Sequence, residues 1–78
     1  MPDSRFTVYT REDCMLCDEF IVELARTLGA RSESFEVRDV DANSVTRRRF
    51  GLKIPVLTCN GSVVCHGHLD RDAVLRLL

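Results

Sequence analysis

Tyr9-Thr10-Arg11-Glu12-Asp13-Cys14-Met15-Leu16-Cys17-Asp18-Glu19 joins two different hydrophobic periods across a pair of cysteines. Upstream, Arg5 to Thr10 alternates Phe6 and Val8 with Thr7 and Tyr9, all strand-favouring types, so the reading is a strand covered on both faces. Downstream, Leu16, Phe20, Ile21, Leu24, Ala25 and Leu28 recur at spacings of three and four, which makes Met15 to Leu28 an amphipathic helix with Gly29 as its stop. Cys14 then falls where strand gives way to helix. Cys17 lies one helical turn further on and on nearly the same face, so the pair can reach disulfide geometry. A thiol at a helix start meets unpaired backbone N–H groups and the positive end of the helix dipole, both of which favour the thiolate. Cys14 is therefore the candidate nucleophile. Arg11 adds a positive charge nearby, while Glu12, Asp13, Asp18 and Glu19 act against it.

Beyond the helix, Ser32 to Val40 carries Phe35 and Val37 in strand-like alternation and leads to Asp41, read as a helix N-cap. Ala42 to Phe50 has few apolar positions and stops at Gly51, so it reads as a short surface helix whose Arg47-Arg48-Arg49 run is read first as solvated surface and second as a ligand contact. Ile54-Pro55 opens a third strand through Cys59. Asn60-Gly61 is a strong two-residue hairpin signal, and Ser62 to His66 returns as a fourth strand. After Gly67, the residues Leu69, Ala73, Val74 and Leu77 fall at helical spacing, with Asp70 and Asp72 early and Arg76 late, as the dipole prefers. The order is strand, helix, strand, helix, strand, strand, helix. A right-handed parallel crossover followed by an antiparallel hairpin makes this an α/β three-layer sandwich around a four-stranded mixed sheet.

At 78 residues the chain is expected to be one domain, 1–78, with a modest core drawn from its 45% apolar residues and any active site near the surface. Eleven Lys plus Arg against twelve Asp plus Glu give a net charge of −1 with the signs mixed, which argues against nucleic acid or an anionic membrane as partner. Apolar runs such as Phe20-Ile21-Val22 fall far short of the roughly 20 residues of a membrane span or the core of a signal peptide. A cytoplasmic protein is expected, and no dimer motif is visible, so a monomer is expected too. In a reducing compartment, four cysteines point to redox or metal chemistry before a disulfide scaffold.

These blocks resemble a known family. Arg-x-x-Cys-x-x-Cys opening a helix, Ile-Pro before the third strand, and a Gly near the last helix resemble the glutaredoxin branch of the thioredoxin fold. The segment from Tyr9 to Glu19, with Arg49-Phe50-Gly51 and Ile54-Pro55-Val56-Leu57, is similar to a group of short bacterial glutaredoxin-like proteins. The resemblance implies a thiol-disulfide oxidoreductase with no bound cofactor and glutathione as co-substrate. Cys14 would attack a substrate disulfide, either of a protein or of a glutathione adduct, and Cys17 would resolve the mixed disulfide. It further implies a cis Pro55 against the cysteines, the Ile54 backbone pairing with substrate, Arg11 on a glutathione carboxylate, and Gly67 with Asp70 at the glutamyl end. Met15-Leu16 replaces the Pro-Tyr of most glutaredoxins, and Lys53-Ile54-Pro55 replaces Thr-Val-Pro, so a flavoprotein reductase stands beside glutathione as electron donor.

Other readings compete with this one. Cys14 and Cys17 can be plain thiols at a helix start, or can hold zinc with Cys65, His66 or His68 in a non-enzymatic binding module. The spacing suits zinc poorly, because a second Cys-x-x-Cys is missing and Cys65-His66-x-His68 is tight. Around the Asn60-Gly61 turn, simple register sets Cys59 opposite Ser62 and Val56 opposite Cys65. Cys59 and Cys65 then face opposite sides of the hairpin and bond only through a bulge or a register shift, which leaves them as small buried hydrophobes. His66 and His68 receive no role.

Overall fold

The computed structural model describes residues 4–78, so residues 1–3 of the expected domain 1–78 lie outside the described residues. Alternation along β1 (Phe6–Thr10) sends its residues to two faces. Phe6 and Val8 enter one core cluster, and Tyr9 packs against a second. Next comes α1 (Met15–Gly29), which lays Phe20, Leu24 and Leu28 against Phe6 and Val8, as its apolar spacing requires.

Gly29 does not act as the stop. It is the last residue of the helix, Ala30 caps it in the right-handed region, and the left-handed residue arrives later, at Ser32 with φ 56°. The N–H groups of Arg31 and Glu33 both close on the Leu28 carbonyl at 3.0 Å, so the backbone turns without help from a glycine.

After β2 (Phe35–Asp39) the chain makes a single 3₁₀ turn, Val40–Ala42, and then α2 (Ser44–Phe50). The expected cap at Asp41 is displaced in both directions. Asp39 accepts from the Asp41 N–H at 2.9 Å to cap the 3₁₀ turn, and Asn43 accepts from the Val45 N–H at 2.7 Å to cap α2. Asp41 is thereby left free to serve elsewhere. The chain closes with β3 (Val56–Cys59), β4 (Ser62–His66) and α3 (Arg71–Arg76).

The strand order is β2-β1-β3-β4, with β1 and β2 parallel and the other pairs antiparallel. Val74 of α3 joins α1 on one face, while Val40, Phe50 and Val56 form the cluster on the other. Three layers result, as the element order implied. At the hairpin, Asn60 and Gly61 take φ of 51° and 85°, both left-handed, as a tight turn between twisted strands demands.

The hairpin register departs from the simple expectation. Cys59 pairs with Ser62, but the register shifts between Leu57 and Thr58, so Cys65 stands opposite Leu57 and His66 opposite Val56. Such a shift moves Cys65 to the other face. Cys59 and Cys65 therefore both pack against the Phe6–Leu24–Leu57 cluster, and both remain free thiols.

Candidate active site

The chain leaves β1 at Thr10 and must turn sharply to start α1, and Asp13 takes the turn with φ 56°. Cys14 follows as the N-cap of α1 in extended conformation, its Sγ accepting the Cys17 N–H at 3.1 Å. The two cysteines are disulfide-bonded, with Cα atoms 5.2 Å apart. Their environments differ sharply. Cys14 is half-buried, whereas Cys17 is 1% exposed and belongs to the buried side of α1. Between them Met15 is 77% exposed and Leu16 is 39% exposed, so the disulfide sits at an apolar, accessible rim.

The proline loop lies on the other side of β1's end. Ile54-Pro55 is a cis peptide, Pro55 is buried, and its carbonyl accepts the Gly67 N–H at 2.8 Å. Ile54 is half-buried against the Val40–Phe50–Val56 cluster. Gly67 sits at φ +77°, a conformation that suits glycine, and lines a small groove of about 70 Å³ with Leu16, Glu19, Glu23 and His68. This groove connects the rim of the disulfide to the Pro55–Gly67 link.

Arg11 and Asp70 are engaged within the protein itself. Arg11 Nε and one terminal nitrogen donate to the two Asp41 carboxylate oxygens at 2.7 and 2.9 Å, and its other terminal nitrogen donates to the Gly51 carbonyl at 3.2 Å. The hydrogen bond to Asp41 holds the guanidinium above its usual range and the Asp41 carboxyl below its own. Asp70 caps α3 by accepting the Ala73 N–H at 3.0 Å, and its own N–H points to Cys65 Sγ at 3.5 Å. Burial pushes the Cys65 thiol up, and that N–H offsets part of the effect.

Asp41 and the groove residues Glu19 and Glu23 were not singled out as site residues from sequence. Parallel pairing of Thr10 with Asp39 brings the residues after β1 beside those after β2, which is why Arg11 meets Asp41 across a separation of 30 residues. The zinc alternative gains no donor set, since no group of three or more metal-ligating side chains occurs among the described residues. Among the described residues, no helix is long and apolar enough to cross a membrane.

The whole arrangement has known relatives. A solution structure of protein Ne2328 from Nitrosomonas europaea is 34% identical, covering 100% of this chain and 94% of that one, with a TM-score of 0.81. A structural-genomics target protein from X. campestris, XcR50, is 28% identical over 92% of each chain, with a TM-score of 0.69. The holo form of glutaredoxin C1 from Populus tremula x tremuloides matches at a TM-score of 0.52 and 15% identity, covering 94% of this chain and 72% of that one, and shares the fold. No curated protein matches the chain. The mixed sheet with helices on both faces is thus a thioredoxin-like fold. With the family model of the glutaredoxin-like domain (DUF836) matching residues 5–78, the chain belongs to that glutaredoxin-like family.

Proposed function

We propose that the protein is a thiol-disulfide oxidoreductase of glutaredoxin type, with Cys14 as nucleophile and Cys17 as resolving cysteine. The observation that carries this reading is the unequal burial of a bonded pair at a helix start: Cys14 is reachable and Cys17 is 1% exposed. In the reduced protein, the Cys17 N–H and the helix dipole favour a thiolate at Cys14. That thiolate attacks one sulfur of a substrate disulfide, forms a mixed disulfide, and releases the first substrate thiolate, which takes a proton from water. Cys17 then loses its proton to solvent and attacks Cys14 Sγ. The second substrate thiolate leaves, and the Cys14–Cys17 disulfide forms. Two electrons pass from the protein dithiol to the substrate disulfide, which becomes two thiols.

Return to the dithiol takes two electrons from a thiol donor, for which glutathione and a flavoprotein-linked reductase are the two candidates. Pro55 and Ile54 flank the substrate's path to Cys14 in this scheme, and Gly67 closes the groove beside it. Asp70 serves as the cap of α3, and its use toward a glutathione end belongs to this proposal too. The setting proposed is the cytoplasm, with the protein acting as a monomer.

The test is exchange between the protein and graded ratios of reduced and oxidised glutathione, read by alkylation and intact mass. The expected result is reversible loss of two alkylatable thiols at Cys14 and Cys17, or a glutathione adduct on Cys14. Cys14→Ser abolishes exchange, and Cys17→Ser accumulates the mixed disulfide. Thiols that stay reduced at every ratio would leave a binding module as the better account.

A further inference from the structure

The surroundings of the disulfide carry a charge pattern that bears on what it exchanges with. Glu12 and Asp13 precede Cys14 directly, Asp18 and Glu19 follow Cys17, and all four are exposed. Glu19 and Glu23 line the groove that runs from Leu16 to Gly67. No ion pair or side-chain hydrogen bond engages these five carboxylates among the described residues. Arg11, the nearest cation in sequence before the cysteines, is tied up with both Asp41 oxygens and the Gly51 carbonyl. Arg26 lines a neighbouring groove with Asp18, Glu19 and Glu23, and with Arg71 a second one beside Glu23, but neither arginine lines the groove that reaches Leu16. His68 lines the groove itself, and Lys53, next to Ile54, is exposed.

We infer that the Cys14–Cys17 pair selects polypeptide disulfides whose half-cystine is flanked by Lys or Arg, and discriminates against anionic disulfides such as oxidised glutathione. The acidic groups do not form a site of their own. They surround a disulfide whose Cys14 is half-buried at an accessible rim, and five carboxylates outnumber the cations beside them, so that a net negative field raises the local concentration of cationic partners while repelling anions. Leu16 and Met15 on the rim offer apolar contact to the residue beside the attacked sulfur. The same field slows glutathione in the reducing direction, which favours a protein dithiol as electron donor. Electron flow is that of the exchange reaction above: the protein dithiol is oxidised, and the polypeptide disulfide is reduced to two thiols.

Because this selection presupposes exchange at Cys14 and Cys17, the experiment must separate the two. The reduced protein is mixed with three oxidants: a disulfide-linked peptide with Lys on both sides of its Cys, the same peptide with Glu in those places, and oxidised glutathione. Each rate is divided by that of dithiothreitol with the same oxidant, which removes differences in leaving-group strength. At about 10 mM salt the Lys peptide is expected to lead the Glu peptide and glutathione by about tenfold or more. The lead should shrink towards unity near 1 M salt, as the screening length falls from about 30 Å to about 3 Å. Glu19→Gln with Glu23→Gln, and separately Glu12→Gln with Asp13→Asn, should each lower the ratio by about threefold.

Equal normalised rates for the three oxidants, a faster anionic oxidant, or a lead that ignores salt would overturn the selection and leave the exchange reaction standing. A lead that persists undiminished in both double variants would overturn it as well. If none of the three oxidants consumes the Cys14 and Cys17 thiols, the exchange reading falls, and the selection with it.

Discussion

Arg11 grips both carboxylate oxygens of Asp41, at 2.7 and 2.9 Å, and so fastens the loop that presents Cys14 to the 3₁₀ turn after β2. Both side chains are more than one-third exposed, so water screens the pair and its energy is modest. Its value is geometric. The guanidinium also donates to the Gly51 carbonyl, which ties the start of the proline loop to the same point.

The pH dependence of this clasp follows from the lowered Asp41 carboxyl. The folded state holds Asp41 ionised more readily than the unfolded chain does, so its stabilisation is fully present above the ordinary value of 3.8 and is lost as pH falls through the lowered one. Asp41→Asn should therefore lower Tm slightly at neutral pH and make no difference in strong acid. Thermal melts of both proteins from pH 7 to pH 2 check this. A Tm gap that persists unchanged to the acid end would remove the ion pair as its cause.

Gly51 is buried at the end of α2, in the right-handed region, with its N–H on the Arg47 carbonyl at 2.9 Å. A Cβ there would stand 2.5 Å from that same carbonyl oxygen and 3.4 Å from an Arg11 terminal nitrogen. The first contact is with backbone and cannot swing aside. Gly51→Ala should cost about 1 to 3 kcal/mol, the usual range for overpacking, measured by urea unfolding. A neutral result would show that the end of α2 yields freely.

Where local pattern and tertiary pairing agree, the sequence is legible. The two periods meeting at Cys14 give β1, α1 and the cysteine geometry, because Phe6, Val8, Leu24 and Leu28 need no distant information to choose a face. Asp41 is different. As a cap candidate it has two equally good neighbours, Asp39 and Asn43, and what decides among them is the parallel alignment of β1 with β2, which local pattern does not encode. The face of Cys65 is likewise decided by one shifted residue in β4, and neither turn chemistry nor alternation announces a bulge in Ser62-Val63-Val64-Cys65. The groove from Leu16 to Gly67 depends on α1 and the segment before α3 meeting, again a matter of assembly.

Cys65 offers a chemical check on that bulge. Packed against the core cluster, its thiol is held above 9.0 chiefly by desolvation, despite the Asp70 N–H. The folded protein keeps this proton more tightly than the unfolded chain, so the associated stability is present below about pH 9 and is lost as pH rises through the folded value. In a Cys14→Ser, Cys17→Ser background, alkylation of Cys65 by iodoacetamide should lag behind a free peptide thiol at pH 8.5 and still be accelerating above pH 9. Peptide mapping after timed alkylation distinguishes it from Cys59. Reaction at the free-peptide rate would place Cys65 in solvent, on the other face of β4.

Leu24 and Val22 lie two residues apart on α1 and separate packing from helix propensity. Leu24 is 0% exposed, in the cluster with Phe6, Val8 and Leu57, while Val22 is 50% exposed on the outer side. Leu24→Ala removes buried methyl groups and leaves a cavity, so it should cost about 2 to 5 kcal/mol. Val22→Ala gives up little contact and gains helix propensity, so its effect should stay within about 0.5 kcal/mol of zero. Chemical denaturation of the two variants reads both numbers directly. A small loss at Leu24 would mean that the α1 face of the sheet collapses around the gap, and the position of Cys17, one helical stretch away on the same buried side, would then shift with it.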